Sequence, residues 1–359
     1  MTTYHQVLVG AAPGDAITSM ALQTRTELRR LGPSEIFARF IEPASASQVG
    51  ALGDLPVGRP RDILIYHSSF GDPEVTRALL RRPERLVLVY HNITPAEFFT
   101  DTDPAFAAGL EWGRYELSLL KDRVVLAIAD SRFNADELIR LGYTGVRIMA
   151  IGVRPRRLAD SSNDPETELT LDEIVGVPFV LNISQLLPHK CQHVLLQAVH
   201  ILQSVHRVEL GLVLVGQARS ATYERALNQL ARSLRLRHIW LAGRQSDSSL
   251  ATIYRRARVF GSASRHEGLG IPPLEAMAFG LPAVVRDAGA TAETVGRGAL
   301  VLPAASGPLM FAEALLAAHE DDRLRSSLID SGFQRVSEFS AARSTRSLAE
   351  IIEAAGLAS

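Results

Sequence analysis

Twice along the chain, short runs rich in valine, isoleucine and leucine alternate with segments of helix length, and this rhythm leaves few folds open. In the first stretch the runs are His5–Gly10, Ser34–Phe40, Asp62–His67, Arg85–Tyr90, Val124–Ala129 and Val146–Ala150. Helical patterns lie between them at Thr18–Leu31 (closed by Gly32), Pro73–Arg81, Ala105–Lys121 and Asn134–Leu141. Residues 156–176 break the rhythm, because Arg154–Pro165 is polar and carries prolines, the composition of a linker. The pattern then restarts with strands Pro178–Ser184, Leu210–Gly216, Ile239–Gly243, Ala257–Ala263, Ala283–Asp287 and Ala299–Leu302. Helical stretches at His193–Ser204, Tyr223–Leu234 and Ser248–Ala257 separate the first of these. Strands that are always followed by helices make parallel sheets. The expectation is an α/β chain of two doubly wound, Rossmann-like domains, 1–155 and 177–335, joined by a linker at 156–176, with residues 336–359 beyond them.

Composition fits this division. A length of 359 residues exceeds one comfortable core, and 47% hydrophobic residues can fill two. The single cysteine, Cys191, rules out a disulfide framework and fits a reducing, cytoplasmic setting. No signal peptide is read before the first strand, and no apolar run approaches the roughly 20 residues of a membrane span. A formal charge of −1 gives no footprint for nucleic acid.

Residues Ser264–Val284 hold the chemistry. Glu267 and Glu275 flank a glycine-containing turn and the start of a helix, between two short strands. Pro272 and Pro273 suit a first helical turn, where the missing N–H does no harm, and Gly280 suits the left-handed residue that closes a helix. The loop therefore sits at the carboxyl end of a parallel sheet, where such folds bind ligands. Gly268 and Gly270 let backbone N–H groups approach a ligand, and a helix start favours an anion such as a diphosphate. Two carboxylates can accept hydrogen bonds from vicinal hydroxyls. Together these suit a nucleotide-diphosphate sugar. The residues alone also allow a plainer reading, with Glu275 a first-turn glutamate complementing the helix dipole and Glu267 a solvated loop charge.

The stretch Glu-Gly-Leu-Gly-Ile-Pro-Pro-Leu-Glu-Ala resembles the Glu–seven residues–Glu signature of the retaining, GT-B fold glycosyltransferases of family 4. The resemblance extends over nearly the whole chain. It implies two domains facing across a cleft, the second binding the donor and the first the acceptor, with residues 336–359, including the helical Leu348–Ala355, crossing back to the first. It places Glu267 beside the transferred sugar and Glu275 on the ribose, with Leu269 in the donor loop and His266 pointing into the donor pocket or propping that loop. Ile183–Lys190 resembles the family's Gly-Arg…Lys element, in which Lys190 would neutralise the leaving diphosphate. Gln185 stands where the family has arginine, a departure that removes a charge.

Further candidates sit at other strand ends. Gly14 and Asp15 occupy the first strand-to-helix turn, where glycine-rich loops meet phosphates, although Asp15 also suits a helix N-cap. His91 ends the fourth strand and matches a family histidine near the reacting centre, while His67 ends the third without that match. Ser131 and Asn134 either bind the donor or cap a helix. Gly216 and Arg244 end two strands of the second domain, near the family's nucleobase and phosphate surroundings. Asp101-Thr-Asp103 imitates a metal motif, but Asp103 precedes Pro104 and a long helix, so helix capping is expected and no metal.

The resemblance implies a retaining, metal-independent hexosyltransferase without a cofactor. It would move sugar from a GDP- or UDP-sugar to a hydroxyl of a glycan, a lipid-linked or a small-molecule acceptor, in bacterial cell-surface or natural-product synthesis. Front-face displacement needs no protein nucleophile. Peripheral contact with the inner membrane face is compatible with it, and the oligomeric state is left open. Three alternatives share the fold: a sugar-nucleotide epimerase, a pyridoxal-phosphate phosphorylase, and a nucleotide-sugar sensor without turnover, for which Gln185 is the hint.

Overall fold

In the computed structural model, residues 1–149, 158–344 and 347–357 are described. The chain divides into two units, Met1–Val153 with Ala341–Ser359, and Arg154–Ser340.

The first unit is wound from β1 (Tyr4–Ala11), α1 (Ala16–Leu28), β2 (Ile36–Ile41), β3 (Gly50–Ala51), β4 (Ile63–Ser68), α2 (Pro73–Arg81), β5 (Arg85–Tyr90), α3 (Pro104–Leu120), β6 (Val124–Ala129), α4 (Arg132–Arg140) and β7 (Arg147–Ile148). All strand pairs are parallel, in the order β3-β2-β1-β4-β5-β6-β7. Strands covered on both faces must be apolar throughout, and β4 and β5 are buried along almost their whole length. The winding reverses between β1 and β4, so the loops after β1, β4, β5 and β6 gather at one edge.

The second unit repeats the plan. It begins with α5 (Pro165–Thr170), then β8 (Phe179–Ile183), α6 (Gln192–Ile201), β9 (Gly211–Val215), α7 (Ala221–Ser233), β10 (Ile239–Gly243) and α8 (Asp247–Arg256). It continues with β11 (Val259–Ser262), α9 (Ile271–Ala278), β12 (Ala283–Arg286), α10 (Thr291–Val295), β13 (Ala299–Leu302), α11 (Pro308–Glu320) and α12 (Asp322–Ser344). The parallel order is β10-β9-β8-β11-β12-β13, and here the winding reverses between β8 and β11. The core packs α6 and α11 on one face of this sheet through Leu195, Leu196, Val199, Phe311 and Leu315.

Several expectations need correction. The described part of the presumed linker, residues 158–176, holds helical turns at Leu158–Asp160 and Pro165–Thr170, continued through Leu171–Val175, and packs on α8. The Asp164 backbone N–H donates to Thr252 Oγ1 at 2.7 Å, Ser249 Oγ donates to Asp164 Oδ2 at 2.8 Å, and Arg255 donates to the carbonyls of Ala159 and Ser161. Its polar residues are contacts, which composition alone cannot distinguish from solvated chain. Residues 156–157, Ala150 at the end of the expected sixth strand, and Ser359 lie outside the described residues. Helices α10 and α11, and the part of α12 before residue 336, were not anticipated, although Phe311, Ala312 and Leu315 already show helical spacing behind Pro308. α13 (Leu348–Ala354) belongs to the first unit, where Leu348, Ile351 and Ile352 join Tyr4 and Met20 in the core. Among the described residues no helix is long and apolar enough to cross a membrane.

One buried group in the first unit stands out. Glu116 on α3 is wholly buried, and its carboxylate accepts from the Tyr66 hydroxyl at 2.5 Å and from Thr76 Oγ1 at 2.6 Å. No arginine or lysine pairs with it in these contacts, and burial pushes its pKa up to about 7.

Candidate active site

In the second unit the site grows from the loops after β8 and β11, the neighbouring strands where the winding reverses. After β8 the chain turns through Pro188–Lys190 and enters α6 at Cys191, which takes a left-handed φ of 52°. Gln192, fully buried, holds this loop: its amide donates to Ser184 Oγ at 2.9 Å and to the Gln185 carbonyl at 2.8 Å. Gln185 itself is exposed. The His189 carbonyl accepts from the Arg265 backbone N–H at 2.7 Å, tying the two loops together. Burial, then the Lys190 and His266 charges, push the His189 pKa down to about 2, so its ring is neutral.

This framework brings Lys190 Nζ to 2.8 Å from Glu267 Oε1, with both side chains 18% exposed. Neither is a solvated loop charge. Gly289 makes the approach feasible: it has φ +59°, and a Cβ there would meet the Glu267 carbonyl at 2.1 Å. The Ala290 N–H donates to that same carbonyl. Thr294 Oγ1 donates to the Leu269 carbonyl, and Leu269 is buried. Gly270 caps α9 with φ +86°, Pro272 and Pro273 lie in its first turn, and Gly280 takes φ +68° after its end, as expected. The Ser264 hydroxyl donates to the His266 carbonyl at 3.0 Å, which supports that loop from within.

Glu275 lies beyond the first turn of α9, so its role is not to complement the helix dipole. Its Oε2 accepts from the Tyr254 hydroxyl at 2.9 Å, and Tyr254 is buried and stacked on Phe279 at 4.8 Å. Sequence reasoning missed Tyr254 and Gln192, since a tyrosine or glutamine on a helix carries no positional signal. Gly216 (φ +145°) is needed for packing, because a Cβ there would meet the Ser184 carbonyl at 2.0 Å. Arg244 is exposed at the end of edge strand β10, two strands from β8.

Residues 171–335 match the family described as group 1 glycosyl transferases. The second unit belongs to the group 1 glycosyl transferases. The chain is 27% identical to an O-antigen chain mannosyltransferase B of Escherichia coli over 73% of its length and 68% of that protein. It is 31% identical to a D-inositol 3-phosphate glycosyltransferase of Corynebacterium kroppenstedtii, over 53% of this chain and 44% of that relative. The structure is similar to that of Anabaena HepE in complex with UDP and glucose, with a TM-score of 0.68 and 17% identity, covering 96% of this chain and 100% of the other. The two parallel sheets are those of the GT-B fold.

The glycosyl transferase unit thus gathers Lys190, Glu267, Gly268, Leu269, Gly270 and Glu275 on two neighbouring loops and the helix that follows. In the first unit Asp15 caps α1, with Oδ2 accepting from the Thr18 N–H at 2.7 Å, and Gly14 before it has φ +71°. Ser131 caps α4, accepting from the Asn134 N–H at 3.2 Å, and Asp103 caps α3, accepting from the Phe106 N–H at 3.1 Å. Asn134 is wholly buried, as is His67 to within 1%. His91 has a buried side chain and sits between His67 and Asp130.

Glu275→Ala should weaken binding of a nucleoside diphosphate by about 1.5–3 kcal/mol, the usual cost of losing hydrogen bonds to a charged group. Calorimetry with UDP and GDP reads this directly, and unchanged affinity in a folded variant would rule out a ribose contact.

Proposed function

We propose that this glycosyl transferase is a retaining enzyme that moves a sugar from a UDP- or GDP-sugar to a hydroxyl of a glycan, a lipid-linked or a small-molecule acceptor. It acts in the cytoplasm or at the inner face of a membrane, without metal or cofactor. The second unit takes the donor and the first the acceptor. The observation that carries this reading is the Lys190–Glu267 contact, 2.8 Å long, at the reversal point of the glycosyl transferase sheet.

A departing diphosphate gains negative charge while the sugar carbon gains positive charge. Lys190 suits the first and Glu267 the second, and both are held in place before the reaction. The N–H groups of Gly268–Gly270 and the start of α9 suit the diphosphate, and Glu275 suits the ribose hydroxyls. The bound UDP of HepE and the mannosyl and glycosyl transfers in the names of the relatives support a nucleotide-sugar donor. Front-face displacement, in which the leaving phosphate oxygen assists the acceptor proton, needs no nucleophile from the chain.

The test is release of nucleoside diphosphate from UDP-glucose and GDP-mannose, with and without sugar acceptors, in excess EDTA. Acceptor-dependent release, with a product of the donor's anomeric configuration by NMR, is expected. Activity lost to EDTA and restored by manganese would overturn metal independence, and an inverted anomer would overturn retention. Conversion of donor to another nucleotide sugar without acceptor would identify an epimerase, and tight binding without turnover a sensor.

A further inference from the structure

Four neighbouring strands of the first sheet position a hydrogen-bonded chain: Gln6 in β1, His67 in β4, His91 directly after β5 and Asp130 directly after β6. The proton positions follow from the end of the chain. Gln6 donates its amide to the Ala21 carbonyl at 3.0 Å, so Oε1 is the atom that faces His67 Nε2 at 2.9 Å. A carbonyl only accepts, and His67 Nε2 therefore carries a proton. His67 is wholly buried, and burial, then the neighbouring His91, holds its pKa well below 6.5. It is neutral, and its Nδ1 is an acceptor.

His91 Nε2, 3.0 Å from that acceptor, must donate. His91 Nδ1 faces Asp130 Oδ2 at 3.3 Å. Asp130 accepts on its other oxygen from the Asn134 amide and directly precedes the N-cap of α4, two features that favour the ionised carboxylate. A carboxylate only accepts, so His91 Nδ1 must donate as well. Glu137 on α4 is paired with Arg114 of α3 and also accepts from the Tyr90 hydroxyl and from Asn92.

We propose that Gln6, His67 and Asp130 hold His91 doubly protonated, a fixed cation at the carboxyl ends of the first sheet, and that His67 and Asp130 are thereby positioning residues for sugar transfer. Both ring N–H groups of His91 are spent inside the unit. Its contribution is charge, not proton abstraction from the acceptor. The electrostatic part rests on this chain's own contacts, and the kinetic part on the transferase reading above.

NMR of histidine-¹⁵N-labelled protein tests the charge without any substitution in the observed sample, with the His91 signals assigned by their loss in His91→Gln. Two protonated ring nitrogens at pH 7.5 are expected, and a single one overturns the proposal. In Asp130→Asn the new amide can donate to Nδ1, so one ring N–H should vanish. The kcat of this variant should fall by roughly tenfold. If the NMR result holds and Asp130→Asn transfers sugar at the wild-type rate, the positioning role is overturned. If wild-type protein transfers no sugar at all, the transferase reading fails while the spectra still decide the charge.

Discussion

Lys190→Ala is expected to lower kcat for sugar transfer by roughly a hundred- to a thousandfold, the loss seen when one preorganised group facing developing charge is removed. The ammonium is fixed by Glu267 at 2.8 Å and by the turn that Gln192 braces, so its position is set before any substrate binds. Each partner remains 18% exposed, and water can partly solvate the carboxylate left behind. The stability cost should therefore stay well below that of breaking a fully buried pair. Glu267→Gln keeps the lysine and separates the two effects. If Lys190→Ala melts like the wild type and releases nucleoside diphosphate at the wild-type kcat, the lysine does not assist the leaving group.

Glu116→Gln should change how stability depends on pH by about 3 kcal/mol. In the folded first unit burial raises the Glu116 pKa from its ordinary 4.5 to about 7. Between these values the folded state keeps a proton that the unfolded chain has lost, so stability falls as pH rises. The contribution is fully present below pH 4.5 and is lost as pH rises through about 7. Glutamine stays neutral throughout. Its amide can donate to Thr76 Oγ1, whose own proton then goes to the Asp72 carbonyl at 2.9 Å, while its oxygen still accepts from Tyr66. Denaturant titrations at pH 5 and pH 8 should show a large drop for the wild type and a much smaller one for the variant. Equal drops would mean that Glu116 is already ionised in the folded protein at pH 5.

Much of the fold was legible because its signals are local. Strands buried on both faces, such as β5 and β9, read as continuous apolar runs whatever their neighbours. The loop at residues 264–270 and helix α9 were legible for the same reason, since Gly270, Pro272 and Gly280 each answer a backbone requirement of their own position. The linker was misjudged because polar residues that bind another helix have the composition of polar residues in water. Asp164 and Arg255 show the difference only through their partners on α8 and in residues 159–163.

The sequence by itself determined two parallel sheets, their strand ends, and a loop-and-helix pair that carries Glu267 and Glu275. Periodicity and backbone chemistry act over a few residues, and they suffice for that. Only the tertiary structure decided that Lys190 meets Glu267 across 77 positions, that Tyr254 orients Glu275, and that His67 and His91 join Gln6 and Asp130 in one chain. It also decided that Gly216 and Gly289 are glycines because a carbonyl from another segment lies 2.0–2.1 Å from where their Cβ would be. Such pairings depend on which loops the sheet order places side by side. A charged or polar side chain looks the same in sequence whether water or a buried partner takes its hydrogen bond.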